Sequence, residues 1–100
     1  MSIKHGKPNI QLTTATTLGD VSANYFVTLS YSWYTVTLPD VEVMCGESLT
    51  FVVTNSNYEG RCTLSGPIDV SDSSYALTAP GSVTLLSDGN RWWITSVFNY

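Results

Sequence analysis

Residues 48–54, Ser-Leu-Thr-Phe-Val-Val-Thr, place Leu49, Phe51 and Val53 on one side of an extended chain and Thr50, Val52 and Thr54 on the other. A period of two belongs to a half-buried strand, because only there do residues i, i+2 and i+4 share a face. Similar β-type runs occupy 10–17, 24–32, 33–38, 41–45, 61–64, 68–70, 74–77, 82–87 and 91–98. Between them fall the turn formers Gly19-Asp20, Pro39-Asp40, Gly46-Glu47, the stretch 55–60, Gly66-Pro67 and Asp88-Gly89-Asn90, residues that reverse a chain by fixed φ, positive φ or side-chain bonds to their own backbone. The strongest local element is the hairpin around Asp88-Gly89-Asn90, whose Asp and Gly supply the backbone freedom of a tight turn or bulge. The expected fold is all-β: a small antiparallel β-sandwich, jelly-roll-like or barrel-like domain. No internal repeat is present, so a repeat solenoid is not expected.

Hydroxyls, not charges, make this chain soluble. Ser and Thr fill 26 of 100 positions, whereas Asp, Glu, Lys and Arg make up 12%, about half the usual share. Thr is β-branched and fits a pleated surface, so helix content should be very low. A scarcity of long charged side chains also suits a surface that a partner covers. The net charge of −4 offers no counterion-release drive, so nucleic acid is not an expected partner. The uncharged stretch 21–39 carries too many hydroxyls for a membrane helix, and the first ten residues lack the apolar core of a secretion signal. No membrane association is expected, and the protein is expected to stay in the cytoplasm that makes it until assembly.

Residues 1–9 show no periodic burial and read as an extended N-terminal arm, with 10–100 as a single β-domain. The arm holds two of the four basic side chains, Lys4 and Lys7, and the only histidine, His5. It is either a frayed terminus or a docking arm that orders on a neighbouring subunit through these three residues. Cys45 and Cys62, 17 positions apart, are expected as two separate buried thiols rather than a disulfide, since nothing argues for an oxidising compartment.

Catalysis has little to stand on. His5 lies in the arm, no Gly-x-Ser-x-Gly elbow occurs among the serines, and Asp69 with Asp72 sits in Ser-rich turn sequence where Asp bonds its own backbone. Asp69, Ser71, Asp72 and Asp88 offer oxygen ligands without a calcium-loop pattern, and two cysteines with one histidine fall short of a zinc site. No enzyme activity, metal or cofactor is expected. The aromatic residues are the remaining asset, at 12% of the chain. In Tyr31-Ser-Trp-Tyr, Trp33 shares a face with Tyr31 and opposes Tyr34, so at least one large ring is expected outside the core. The surplus rings serve as core rim, as subunit contact or as sugar-stacking platforms.

Several motifs occur in a fixed order: Thr37-Leu-Pro-Asp, Gly46-Glu-Ser-Leu-Thr-Phe-Val-Val-Thr-Asn, Ile68-Asp, Ser74-Tyr-Ala-Leu, and Ser82-Val-Thr-Leu-Leu-Ser-Asp-Gly-Asn-Arg-Trp-Trp-Ile. Over residues 34–96 this order resembles the small β-modules of tailed-bacteriophage virion proteins: head decoration or cement proteins, fibres and spikes. Val70 departs from the pattern where the modules often carry Gly. The resemblance implies a non-catalytic virion structural protein, assembled in the host cytoplasm. It implies a homotrimer whose partners are the major capsid protein or other virion subunits. The favoured role is a capsid decoration protein that binds and stabilises the phage head, because only a nine-residue arm precedes the module. The alternative is a receptor-binding tip or short fibre module that binds host surface glycans. In similar modules the closing Trp covers one end of the core, so one of Trp92 and Trp93 is expected inward and the other outward. The expected partner-binding residues are Lys4, His5 and Lys7 in the arm, and Trp33, Tyr34 and Trp93 in the domain.

Overall fold

A computed structural model describes residues 8–31, 33–55, 60–68 and 72–99. Lys4, His5 and Lys7, most of the expected 55–60 loop, and Asp69 to Ser71 lie outside the described residues. Among the described residues there are nine strands: β1 (Asn9–Leu12), β2 (Thr16–Thr17), β3 (Asn24–Val27), β4 (Trp33–Thr37), β5 (Ser48–Val53), β6 (Arg61–Ile68), β7 (Asp72–Leu77), β8 (Gly81–Ser87) and β9 (Trp92–Asn99). They form one sheet in the order β1-β3-β5-β8-β9-β6-β4-β2, with β7 paired to β6. The sheet curls into an open half-barrel. The all-β, barrel-like class expected from the alternation is therefore the observed one.

The pairing is mixed, which corrects the antiparallel part of the expectation. β5–β8, β6–β7 and β8–β9 are antiparallel. β1–β3, β3–β5, β2–β4 and β4–β6 are parallel, and β6 meets β9 in parallel at Ile68 and Trp92. The cause lies in the winding. Each early turn carries the chain across to the opposite wall instead of back beside the strand just left. Strands β1, β3 and β5 therefore stack on one wall and β2, β4 and β6 on the other. Parallel neighbours arise at every second strand, with no crossover helix. The β8–β9 hairpin then joins the two walls.

Three local expectations are also revised. The run 10–17 breaks at Thr13 into β1 and β2, the outermost strands of the two walls. Residues 41–46 form a turn, not a strand: the Asp40 carboxylate accepts from the Glu42 amide at 2.9 Å, and the Met44 amide donates to the Asp40 carbonyl at 3.0 Å. An Asp that satisfies the first amides of a turn competes with an extended ladder. The expected break at Gly66-Pro67 lies inside β6, where the register against β7 shifts between Ser65 and Ile68. A bulge absorbs the Pro that a regular ladder would exclude.

The core lies between the two walls. Leu49, Phe51 and Val53 are buried as their spacing requires, beside Tyr25, Val27, Val36, Cys62, Leu64, Val83 and Leu85. Tyr25 and Phe51, paired across β3 and β5, stack with ring centroids 5.0 Å apart, an offset contact favourable to aromatic pairs. Trp92 is fully buried and Trp93 half-buried, so the inward ring is the first of the pair.

Candidate binding surface

Gly46-Glu47 and Ser87-Asp88-Gly89-Asn90 lie in or beside two turns that are tied to each other. Ser87, the buried polar residue among those described, donates its hydroxyl to the Val41 carbonyl at 2.6 Å and accepts from the Gly89 amide at 3.1 Å. Its backbone joins the 41–46 turn to the hairpin through Gly46 N–H to Ser87 carbonyl and Ser87 N–H to Glu47 carbonyl. Gly46 and Gly89 take φ of 85° and 94°, conformations that a side chain opposes. Asp88 accepts from the Asn90 and Arg91 amides at 2.8 Å each and from the Trp93 indole N–H at 2.7 Å. The Trp93 hydrogen bond and the two amides hold its carboxyl below the usual range.

Asn55 closes the other end. Its carboxamide accepts from the Leu29 amide at 2.7 Å and donates to the Leu29 carbonyl at 2.8 Å, replacing the backbone partner of a strand that has ended. The Leu29–Tyr31 bend is thereby fixed beyond β3. Gly60 is packed against the same bend: a Cβ there would run into the Ser30 carbonyl oxygen. This close approach brings the segment leading into β4 beside the start of β6, where Trp33 and Arg61 are register partners.

The outer walls carry almost no charge. On the β1-β3-β5-β8-β9 wall, the outward rows are Gln11–Phe26–Val52–Ser82–Phe98 and Asn9–Asn24–Thr50–Thr84–Ser96, flanked by Leu86 and Trp93. None of these is ionisable. The β4-β6-β7 wall presents Thr35, Thr37, Thr63, Ser65, Ser74 and Ala76. Arg61 is the one ionisable group among the described outward side chains of the strands. Its guanidinium carbon lies 4.2 Å from the centroid of the Trp33 ring. Trp33 is still 66% exposed and Tyr31 79%. These are the outward rings that the Tyr31-Ser-Trp-Tyr pattern required.

Tyr34 is a correction. Expected as a partner-binding residue, it is 8% exposed, and its hydroxyl donates toward the carbonyls of Thr28 at 2.9 Å and Leu12 at 3.2 Å. Strand alternation sends it inward once Trp33 points out. There it faces Cys62, its register partner. Burial pushes both groups up, the Cys62 thiol to about 11 and the Tyr34 phenol further. Neither is a nucleophile at neutral pH. Cys45 and Cys62 are both free; Cys62 is buried as expected, whereas Cys45 is exposed.

No protein-family model matches this chain, and no curated protein does.

Two concavities lie on the described surface. A groove of about 300 Å³ lies between the outermost strands, lined by residues that include Ile10, Leu12, Thr16, Leu18 and Tyr25. A cleft of about 100 Å³ separates β7 from β8 and β9 near Tyr75 and Val97. No carboxylate, amine, thiol or imidazole among the described residues lines either one. Among the described residues no three His, Cys, Asp or Glu side chains converge, and no helix is long and apolar enough to cross a membrane. Arg61 is the residue that sequence reasoning missed. Trp33 and Arg61 lie 28 positions apart, and only the parallel β4–β6 register joins them, for which the sequence holds no signal.

Proposed function

We propose that this chain is a non-catalytic structural subunit of a virion, a capsid decoration protein of a tailed phage that forms homotrimers and stabilises the head by covering neighbouring shell subunits. The observation that carries the reading is the distribution of charge. The acidic residues of the described turns, Asp20, Asp40, Glu42, Glu47 and Asp88, sit at the ends of the strands, while the described outward side chains of the β1-β3-β5-β8-β9 wall are hydroxyls, amides and scattered apolar groups. A wall without ionised groups is covered without desolvating a charge, the dominant obstacle to burying protein surface. The order of motifs over residues 34–96 supplies the phage assignment. Many copies on a shell would then gain stability by mass action, with no chemistry required.

The test is a charge placed on the wall. Thr84→Lys, outward and half-buried beside Thr50, should leave the circular dichroism spectrum unchanged. It should convert a sedimenting trimer into monomer and abolish shell-wide occupancy of particles in low-resolution images. A monomeric parent chain at tens of micromolar, or copies confined to one vertex, would overturn the decoration role. The exposed Tyr31 and Trp33 favour a second reading, a receptor-binding module that recognises host surface glycans.

A further inference from the structure

The geometry points to Tyr31, Trp33 and Arg61 as a binding site for an acidic sugar, a pyranose that carries a carboxylate; this rests on the glycan-binding reading and names its site and ligand class. Three features converge on it. The two rings are among the most exposed large apolar side chains of the domain, at 79% and 66%. They lie on a segment held in place by Asn55 on Leu29 and by the close approach of Gly60 to Ser30. And the outward cation of the strands is here, laid on the Trp33 ring at 4.2 Å, with no carboxylate paired to it among the described residues.

A guanidinium held over an indole by cation–π attraction has its planar fork restrained, and its terminal N–H groups are of the kind that donate in parallel to one carboxylate. The exposed rings offer π-faces to the apolar C–H face of a sugar, an amphipathic surface suited to stacking. One outward cation among the described strand side chains, in a chain of net charge −4, matches a ligand with isolated negative charges. The summed field of the acidic chain opposes a dense polyanion such as nucleic acid. A site of three side chains has the dimensions of one or two sugar units, far below the roughly 800 Å² per partner of a stable protein interface. The carboxylate would accept from Arg61 while the ring of the sugar lies over Trp33 or Tyr31.

The experiment titrates the whole chain with a glucuronate-terminated disaccharide, its neutral glucose-terminated counterpart, and acetate, following tryptophan fluorescence and two-dimensional NMR shifts. The acidic disaccharide should bind at least about tenfold more tightly than the neutral one, the discrimination of one charge-assisted hydrogen-bonded pair. Shifts should centre on Trp33, Tyr31 and Arg61. Arg61→Gln should remove that preference at unchanged melting temperature, Arg61→Lys should restore only part of it, and Tyr31→Ala should weaken both sugars. Equal affinity for the two disaccharides would overturn the acidic-sugar assignment while leaving glycan binding in place. Binding of neither would overturn both. Acetate as effective as the acidic disaccharide would reduce the site to a simple anion contact and likewise overturn the proposal.

Discussion

Asp88 turns its hydrogen-bonding capacity back onto its own hairpin. Because its carboxyl is held below the usual range by Trp93 and the Arg91 and Asn90 amides, the folded state favours the ionised form. This stability is present above the ordinary carboxylate pKa of about 4 and is lost as pH falls through the lower folded value. Asp88→Asn keeps an acceptor for the amides but loses the charge, so its hairpin stability should be flat where the parent declines. Trp93 fluorescence followed from neutral pH to strong acid distinguishes the two. Cys62 has the opposite sign. Its folded thiol is pushed up to about 11 from an ordinary 9.0, so the unfolded chain ionises first, and stability should fall as pH rises across that window. Cys62→Ala should show a shallower decline there in urea melts. At neutral pH one thiol, Cys45, should react promptly with a disulfide reagent and the second only after unfolding.

At the scale of the element, the coil depends on side chains that stand in for backbone. Asn55 makes both hydrogen bonds that a neighbouring strand residue would make to Leu29, so Asn55→Ala should destabilise the domain by about 1–2 kcal/mol in urea denaturation. Asn55→Asp should not rescue it, since a carboxylate accepts from the Leu29 amide but faces its carbonyl without a proton. Much of this level was legible from sequence. The faces of β5 and β8 follow from alternation, and the hairpin turn from Asp88-Gly89-Asn90. What could not be read is direction. Gly19-Asp20 and Pro39-Asp40 signal that the chain turns, but not whether it returns beside the previous strand or crosses to the far wall, since the same residues serve both geometries. In residues 41–45, Val41, Val43 and Cys45 alternate as a strand does, while Asp40 caps the turn that forms. The candidate site was half legible: Tyr31 and Trp33 from their spacing, Arg61 not at all, because its place follows from the parallel register.

For the molecule as a whole, winding two walls from alternate strands leaves the centre of the sheet well covered and its ends bare. β5 and β8 are flanked on both sides, whereas β1 and β2 each have a single neighbour among the described strands and consist of four and two residues. Native-state hydrogen exchange should therefore be slowest at the paired amides of Leu49 to Val53 and Val83 to Leu85 and fastest in β1 and β2, with local opening at the ends well below the global free energy. The same measurement separates two ways of assembling. Covering an uncharged wall with side-chain contacts leaves backbone hydrogen bonds as they were, so trimer formation should change exchange in β1 and β2 little. Addition of a partner strand to a bare edge would instead protect those amides strongly. Marked protection of Asn9 to Leu12 on association would move the interface from the walls to the open end of the half-barrel, and Thr84→Lys would then leave the trimer intact.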